Sequence, residues 1–545
     1  MRLKYTLAIA AVFFSTPLVA PSVALAQNTI ACPFSLASPS LPSQFVVSGA
    51  VDVQITADCA AWQQFVYLNW QAASGQTVPD PAVPASQFGI LPAGAATVWQ
   101  SYVPSNSLFQ PVSPAERQTP PPLMLKAISK YGNITISGID QASGPVWLTG
   151  QNQNLTYYDV RSNPNEVAYI STVSAGPLNT ASAQLACVNA VPAGQTTGGF
   201  RLPMGYKNDT DCNGTPATYG DDTGTIELKA AWLVLTAGDP NNSRYLTAQA
   251  QVTDPFGVTT QQTVGLVGLH IIRRLPGASQ MLWSTFEQVD NSPDYNLTTK
   301  TASDPRTATG APRNARSSYT YFNAACDPSK DTVYQCVVNA QPGAPCPTSA
   351  GRTSTDPTCY PYSAPQQVGR TTPLEFRADG INAWIWSQIP QNSVFQYYRL
   401  IDVQWPNNPQ PPLLSGALTA GVQVGSTTVP YPTNMVPNLY VNDPNTRVIA
   451  NTTMETYVQA GAGSATGTCM DCHASAGISA LTPGSNSLQA TLVRKKIGNR
   501  FFSVTPFASV PTPPPGTSPQ ATIPQGDYLS SFSFIFSNAT IKATP

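Results

Sequence analysis

Proline falls throughout this chain, 53 residues in all with 37 glycines, and leaves few stretches free of a helix breaker. A proline inside a helix removes a backbone donor and clashes with the preceding turn, so helix interiors exclude it. Charge points the same way. Globular helices carry charged residues on their solvent face, yet Asp, Glu, Lys and Arg make up only 10% of this chain. Short strands joined by long polar loops suit such a sequence, and a hydrophobic fraction of 42% is enough for a packed core.

Strand-like runs recur at Phe45 to Ile55, Leu228 to Leu235, Tyr245 to Val252 and Gln262 to Ile272, each bounded by Gly, Pro, Asp or Asn. Two helices are expected, one over Ala61 to Trp70 and one over Ala450 to Gln459 with Asn451 or Thr452 as its cap. Cys326 to Pro365 reads as a long stapled loop, and Val510 to Pro519 as a stiff extended connector. No internal repeat is evident.

The first residues predict an export signal over 1–26. Arg2 and Lys4 precede an apolar run from Leu7 to Phe14, and Ala24-Leu25-Ala26 has the small-x-small form of a cleavage site. No later segment is apolar for long enough to span a membrane as a helix, so the mature chain is expected to be periplasmic or secreted. The formal net charge of −1 provides no basic stripe for nucleic acid and no cue to any other partner.

Ten cysteines accompany only two histidines. In an oxidising compartment an even cysteine count favours disulfides. Proximity suggests Cys32–Cys59, Cys187–Cys212 and two bridges among Cys326, Cys336, Cys346 and Cys359, with a four-cysteine zinc site as the sharper alternative for the last group. The remaining pair lies in Cys469-Met470-Asp471-Cys472-His473. Two thiols one helical turn apart can meet both vinyl groups on one porphyrin edge, and the next histidine then reaches the iron. This predicts haem c bound covalently at Cys469 and Cys472, with His473 as axial iron ligand. A thioredoxin-like thiol pair and a plain disulfide are the competing readings. The former wants a strand running into a helix N-terminus, and Gly, Ser, Ala and Thr precede Cys469 instead.

No methionine follows His473, which excludes the downstream methionine ligand of small helical cytochromes c. The sixth ligand is then an upstream residue, water or nothing. His270, the only other histidine, is a possible distal iron ligand or a strand histidine satisfied by a local hydrogen bond, and Met454 is a weaker candidate. Trp283, Phe286, Trp384, Trp386 and Trp405 could wall a haem pocket, and Arg273, Arg274 and Arg494 could meet its propionates; plain core and solvated surface are the alternatives. Asp221-Asp222 reads as a loop or, less readily, a calcium site. No hydrolase elbow, phosphate loop or H-E-x-x-H motif is present, so no catalytic residue is assigned.

Several blocks resemble a group of exported bacterial proteins described as cytochrome c family proteins. They are WQQFVYLNW (Trp62 to Trp70), VWQSY (Val98 to Tyr102), LKAAW (Leu228 to Trp232), GLHIIRR with WSTFEQVDN (Gly268 to Asn291), DVQWP (Asp402 to Pro406), NTTMETY (Asn451 to Tyr457), CMDCH and SFSFIF (Ser531 to Phe536). They extend over nearly the whole mature chain. The resemblance implies haem at Cys469 and Cys472 with His473 axial, and relevance for His270; it carries no substrate. Gln288 departs from the histidine expected there.

The expectation is a mainly β protein with some α (α+β), disulfide-stapled. A β-rich body over 27–435 would carry a C-terminal haem c-binding region over 436–545, or the two would form one continuous domain. One-electron transfer with an unknown redox partner is the leading function. A haem-dependent enzyme or small-ligand sensor, and a non-haem binding protein, are the alternatives.

Overall fold

The computed structural model describes 29–405 with interruptions, and then 421–424, 427–430, 449–457, 459, 493–497, 500–504, 533 and 535–538. The export signal, Cys469 to His473, Cys346, Cys359, Asp221-Asp222, Met435 and the 510–519 connector lie outside the described residues.

The fold is β-rich. Its strands are β1 (Val103–Pro104), β2 (Leu123–Lys126), β3 (Thr156–Ser162), β4 (Ile226–Val234), β5 (Thr247–Thr253), β6 (Thr259–Arg273), β7 (Leu282–Gln288), β8 (Asp294–Asn296), β9 (Thr301–Ser303), β10 (Tyr398–Gln404), β11 (Gly421–Val424), β12 (Thr427–Pro430), β13 (Val493–Ile497) and β14 (Arg500–Val504). Three α-helices occur among the described residues: α1 (Val53–Leu68), α2 (Pro164–Thr172) and α3 (Phe376–Gln388). Eight strands form one sheet in the order β1-β3-β4-β6-β5-β2, with β7 added beside β6 and β10 beside β7.

The long strand β6 organises this sheet. Its β4 neighbour covers one edge from Val264 to Arg273, while β5 pairs the other edge up to Gly265 and β7 takes over from Gly268. Alternate residues face opposite sides of a strand. On one side, Leu269 stands opposite Phe286 and Phe286 opposite Leu400, all buried. Helices α1 and α3 cover this side: Trp62 and Phe65 bring their rings to 5.0 and 4.4 Å from Phe286, and Asn382 donates to the Leu400 carbonyl at 2.8 Å.

Helix α1 begins earlier than the sequence pattern predicts, and its first turn overturns the end of the expected Phe45 to Ile55 strand. The Asp52 carboxylate accepts from the Gln54 N–H at 2.9 Å and caps the helix, while Arg377 holds the other carboxylate oxygen at 2.6 Å. The helix is buried nearly all round, so it lacks the polar stripe that marks a surface helix. Buried Gln54 is satisfied by Asp58 at 2.8 Å and Asp402 at 3.0 Å.

Among the described residues three disulfides join Cys32–Cys59, Cys187–Cys212 and Cys326–Cys336. The first two are the pairs that proximity predicts. Such bridges are the mark of an oxidising compartment. Among the described residues no helix is long and apolar enough to cross a membrane.

Candidate functional site

Asn451 to Tyr457 and, further along the chain, Ser533, Ile535 and Phe536 contact the body. The lead-in, Asn451 to Tyr457, is a series of turns and not the expected helix. Its polar groups are spent on the sheet. The Asn451 amide donates to Thr285 Oγ1 at 3.0 Å and to the Phe286 carbonyl at 2.8 Å, both on β7. The Asn451 side-chain oxygen accepts from the Thr453 N–H and hydroxyl, at 2.9 and 2.8 Å, which closes a tight local turn. Tyr158 donates to the Thr453 carbonyl at 2.6 Å, and Tyr457 to the Trp147 carbonyl at 2.6 Å.

The lead-in can lie this close only because residue 268 is glycine. A Cβ there would lie nearer to Thr453 Oγ1 than real Cβ atoms approach, and in tight contact with the Asn451 amide.

Glu287 of β7 forms a buried clamp beneath this turn. Arg399 reaches its carboxylate at 2.9 Å and Arg370 pairs with the same oxygen. Its other oxygen accepts from the Thr452 N–H at 3.0 Å and hydroxyl at 2.8 Å. Arg370 also donates to the Ala450 carbonyl at 3.1 Å, so both cations and the lead-in share one network. Burial alone would raise the Glu287 carboxyl, but Arg370, Arg399 and the Thr452 N–H hold it down to about 2.

His270 lies on the same side of the sheet, opposite Lys229 of β4 and Thr285 of β7. Its Nε2 is buried, and Glu455 Oε2 of the lead-in stands 3.4 Å from it. That same oxygen accepts from the Asn451 N–H at 2.9 Å. Burial acts to raise the Glu455 carboxyl, but His270, Lys229 and the Asn451 N–H together hold it below the usual range.

Met454 is fully buried in an apolar cluster with Tyr158, Leu233, Val267 and Tyr321. Among the aromatics proposed as haem walls, Phe286 packs under α1, Trp386 donates to the Tyr398 carbonyl at 2.9 Å, and Trp405 donates to Gln54 at 2.8 Å. Trp283 is buried in a separate cluster with Tyr169, and Trp384 is partly buried against the main core. Arg273 and Arg274 are buried as well, and Arg273 donates to the Thr223 carbonyl. These residues build the core. Arg494 lies on β13, and Gln288 is buried against Asp290 and the Arg244 carbonyl.

The return anchor is Ser533 with Ile535 and Phe536. The two apolar residues enter the cluster that holds Tyr169, Cys187 and Cys212. Ser533 hydrogen-bonds Glu227, whose carboxyl meets that of Glu166. Burial, then the neighbouring Glu227, pushes the Glu166 carboxyl well up. Burial likewise pushes Glu227 up to about 7, against the Ser533 and Glu166 hydrogen bonds.

A carboxyl raised on folding stabilises fully below its unfolded value of about 4.5 and loses that contribution as pH rises towards 7. Stability is therefore expected to fall by about 1–3 kcal/mol across this window, and Glu227→Gln should flatten the slope. Urea midpoints between pH 4 and 8 test this, and an equal slope in the variant would refute it.

Comparison with known proteins returns nothing: no family model, no curated protein and no solved structure matches the chain. Among the described residues no group of three or more His, Cys, Asp or Glu could hold a metal ion.

Proposed function

We propose that the chain is an exported c-type cytochrome performing one-electron transfer, with one haem on Cys469 and Cys472 and His473 bound to its iron. The observation that carries this reading is the sequence Cys469-Met470-Asp471-Cys472-His473 in a disulfide-bonded chain. The donor set fits the group: two thiols for the vinyl carbons and one imidazole for iron. Each of the six cysteines in the three disulfides already has its own partner, so none competes for Cys469 or Cys472. When bound, haem supplies an Fe3+/Fe2+ couple. Ahead of the motif in sequence, Glu287 and β7 hold Asn451 and Thr452, and beyond it Ser533 meets Glu227. The compartment in this reading is the periplasm or the exterior.

The second protein ligand of the iron would be His270, at the expense of its contact with Glu455, or an upstream methionine such as Met454; otherwise the position would be left to a ligand from solution. Export together with the haem-attachment machinery should give an intact mass one haem heavier than the processed chain, with sharp reduced visible bands. Cys469→Ser with Cys472→Ser should abolish both. A wild-type chain that carries no covalent haem under these conditions would leave a disulfide-stabilised binding protein as the better reading.

A further inference from the structure

We infer that Glu166 and Glu227 form a buried calcium site, with the Ser162 and Thr225 hydroxyls among its oxygen donors. The site lies in the body of the protein and does not depend on the proposed haem.

The local fold brings the two carboxyls together. Asn163 precedes α2, and its side-chain oxygen accepts from the Glu166 N–H at 3.3 Å and from the Ile226 N–H at 3.0 Å. Its amide nitrogen donates to the Gly224 carbonyl at 2.7 Å. One asparagine therefore caps α2 and staples it to β4. Glu166 holds the position from which a glutamate commonly reaches back to the N–H of the cap residue. Here that N–H is taken by the Ile226 carbonyl at 3.0 Å. The Glu166 carboxyl meets Glu227 instead, and Glu227 stands opposite Ser162 of β3. Thr225 lies two residues ahead of Glu227 along the extended chain.

The pair lacks a counter-charge of its own. Burial raises both carboxyls and the Glu227 charge raises Glu166 further, while among the described residues no cation draws either one down. Lys229, next on that side of β4, stands over the Tyr158 ring at 5.2 Å, and Arg161 turns to Asp159 at 2.6 Å. The contact between the two acids is a hydrogen bond only while one holds a proton; ionised, they set acceptor against acceptor. Both Glu166 oxygens, Glu227 Oε1, the Ser162 and Thr225 hydroxyls and the Asn165 amide nitrogen are buried with no other hydrogen-bond partner. Native proteins rarely leave so many polar atoms unpaired in one place.

A shared proton satisfies one oxygen of each acid and leaves the rest unpaired. A divalent cation balances both charges and takes oxygens as ligands, and five of these six atoms are oxygens. An all-oxygen set selects a hard cation, and calcium accepts an irregular shell that water can complete, whereas magnesium demands a near-ideal octahedron. The Asn165 amide nitrogen, a donor, suits a water on that ion. With two carboxylates the affinity belongs at the weak end of calcium sites, a Kd of about 10⁻⁴–10⁻³ M.

The test is equilibrium urea unfolding of the full exported chain at neutral pH, in EGTA or in calcium chloride at about tenfold the Kd, with sodium chloride equalising ionic strength. Unfolding releases the ion, so even a slowly exchanging buried site is read. Calcium is expected to shift the wild-type folding equilibrium about tenfold towards the native state. Glu166→Gln and Glu227→Gln should abolish that shift, and Ser162→Ala should reduce it. In EGTA, Glu227→Gln should be at least as stable as wild type, because the amide removes a buried charge that then has no counter-ion. If a glutamine variant does not fold, the wild type with and without calcium and Ser162→Ala decide. Equal wild-type midpoints in EGTA and calcium overturn the site and leave the two acids to share a proton. A calcium shift that survives undiminished in the variants places the ion elsewhere and overturns it equally.

Discussion

Glu287→Gln is expected to cost the fold about 3–5 kcal/mol, the range for breaking a buried ion pair by removing one partner. The glutamate is fully buried, and its carboxylate balances two guanidiniums that are themselves buried. A neutral amide of the same shape leaves Arg370 and Arg399 as two neighbouring buried cations without the carboxylate they share. It also replaces one acceptor oxygen facing Arg399 or Thr452 with a donor. The loss should appear first in the lead-in. Amide hydrogens of Asn451 to Tyr457 are expected to exchange faster in the variant than those of β6, and urea unfolding to show an early phase. The pH dependence has a definite sign. The Glu287 carboxyl is held at about 2, below its ordinary 4.5, so the clamp stabilises above about pH 4.5 and is lost as pH falls towards 2. The wild type should lose stability across that acid window, and the variant should lose less. Equal acid sensitivity and equal midpoints would show that the clamp contributes no net stability.

Much of the sheet was legible because its strands obey a simple period. Runs at Leu228, Tyr245 and Gln262 became β4, β5 and β6, with turns at Asp239–Pro240 and Asp254–Gly257 where the punctuation falls. The first helix was harder. It buries Gln54, Asp58 and Gln64 together with its apolar residues, so no 3.6-residue stripe marks its start, and Val53 and Ile55 alternate as if in a strand. The Asn451 turn misled for a related reason. Asn, Thr, Thr and a following Glu are helix-start residues, but here their side chains bond to β7 and to one another.

The proposed haem-attachment motif needs only the order of five residues, so it is read from sequence alone. The surroundings of His270 depend on contacts between positions 287, 370, 399 and 451 to 455, far apart in the chain, and no local pattern encodes them. One signal was available. In a chain so poor in charge, Glu287 lies in a strand beside tryptophan and phenylalanine, and a carboxylate in such company needs a buried cation.

Phe286→Ala tests the other side of the same strand. Phe286 and Glu287 are neighbours in sequence, yet β7 sends one towards α1 and the other towards the lead-in. Removing the phenyl ring empties a space between Trp62 and Phe65 that backbone hydrogen bonds keep from collapsing, and such truncations cost about 3–5 kcal/mol. The Phe286 carbonyl is unchanged, so Asn451 keeps its acceptor. The two variants therefore lose comparable free energy in different ways. Phe286→Ala should lower the urea midpoint in a single transition, with lead-in and sheet amides exchanging together. Glu287→Gln should separate them. In haem-loaded protein at low denaturant, the visible spectrum of Phe286→Ala should match wild type. A two-step melt for Phe286→Ala, with the lead-in released first, would mean that the two faces of β7 are energetically coupled and that the clamp depends on the α1 core beneath it.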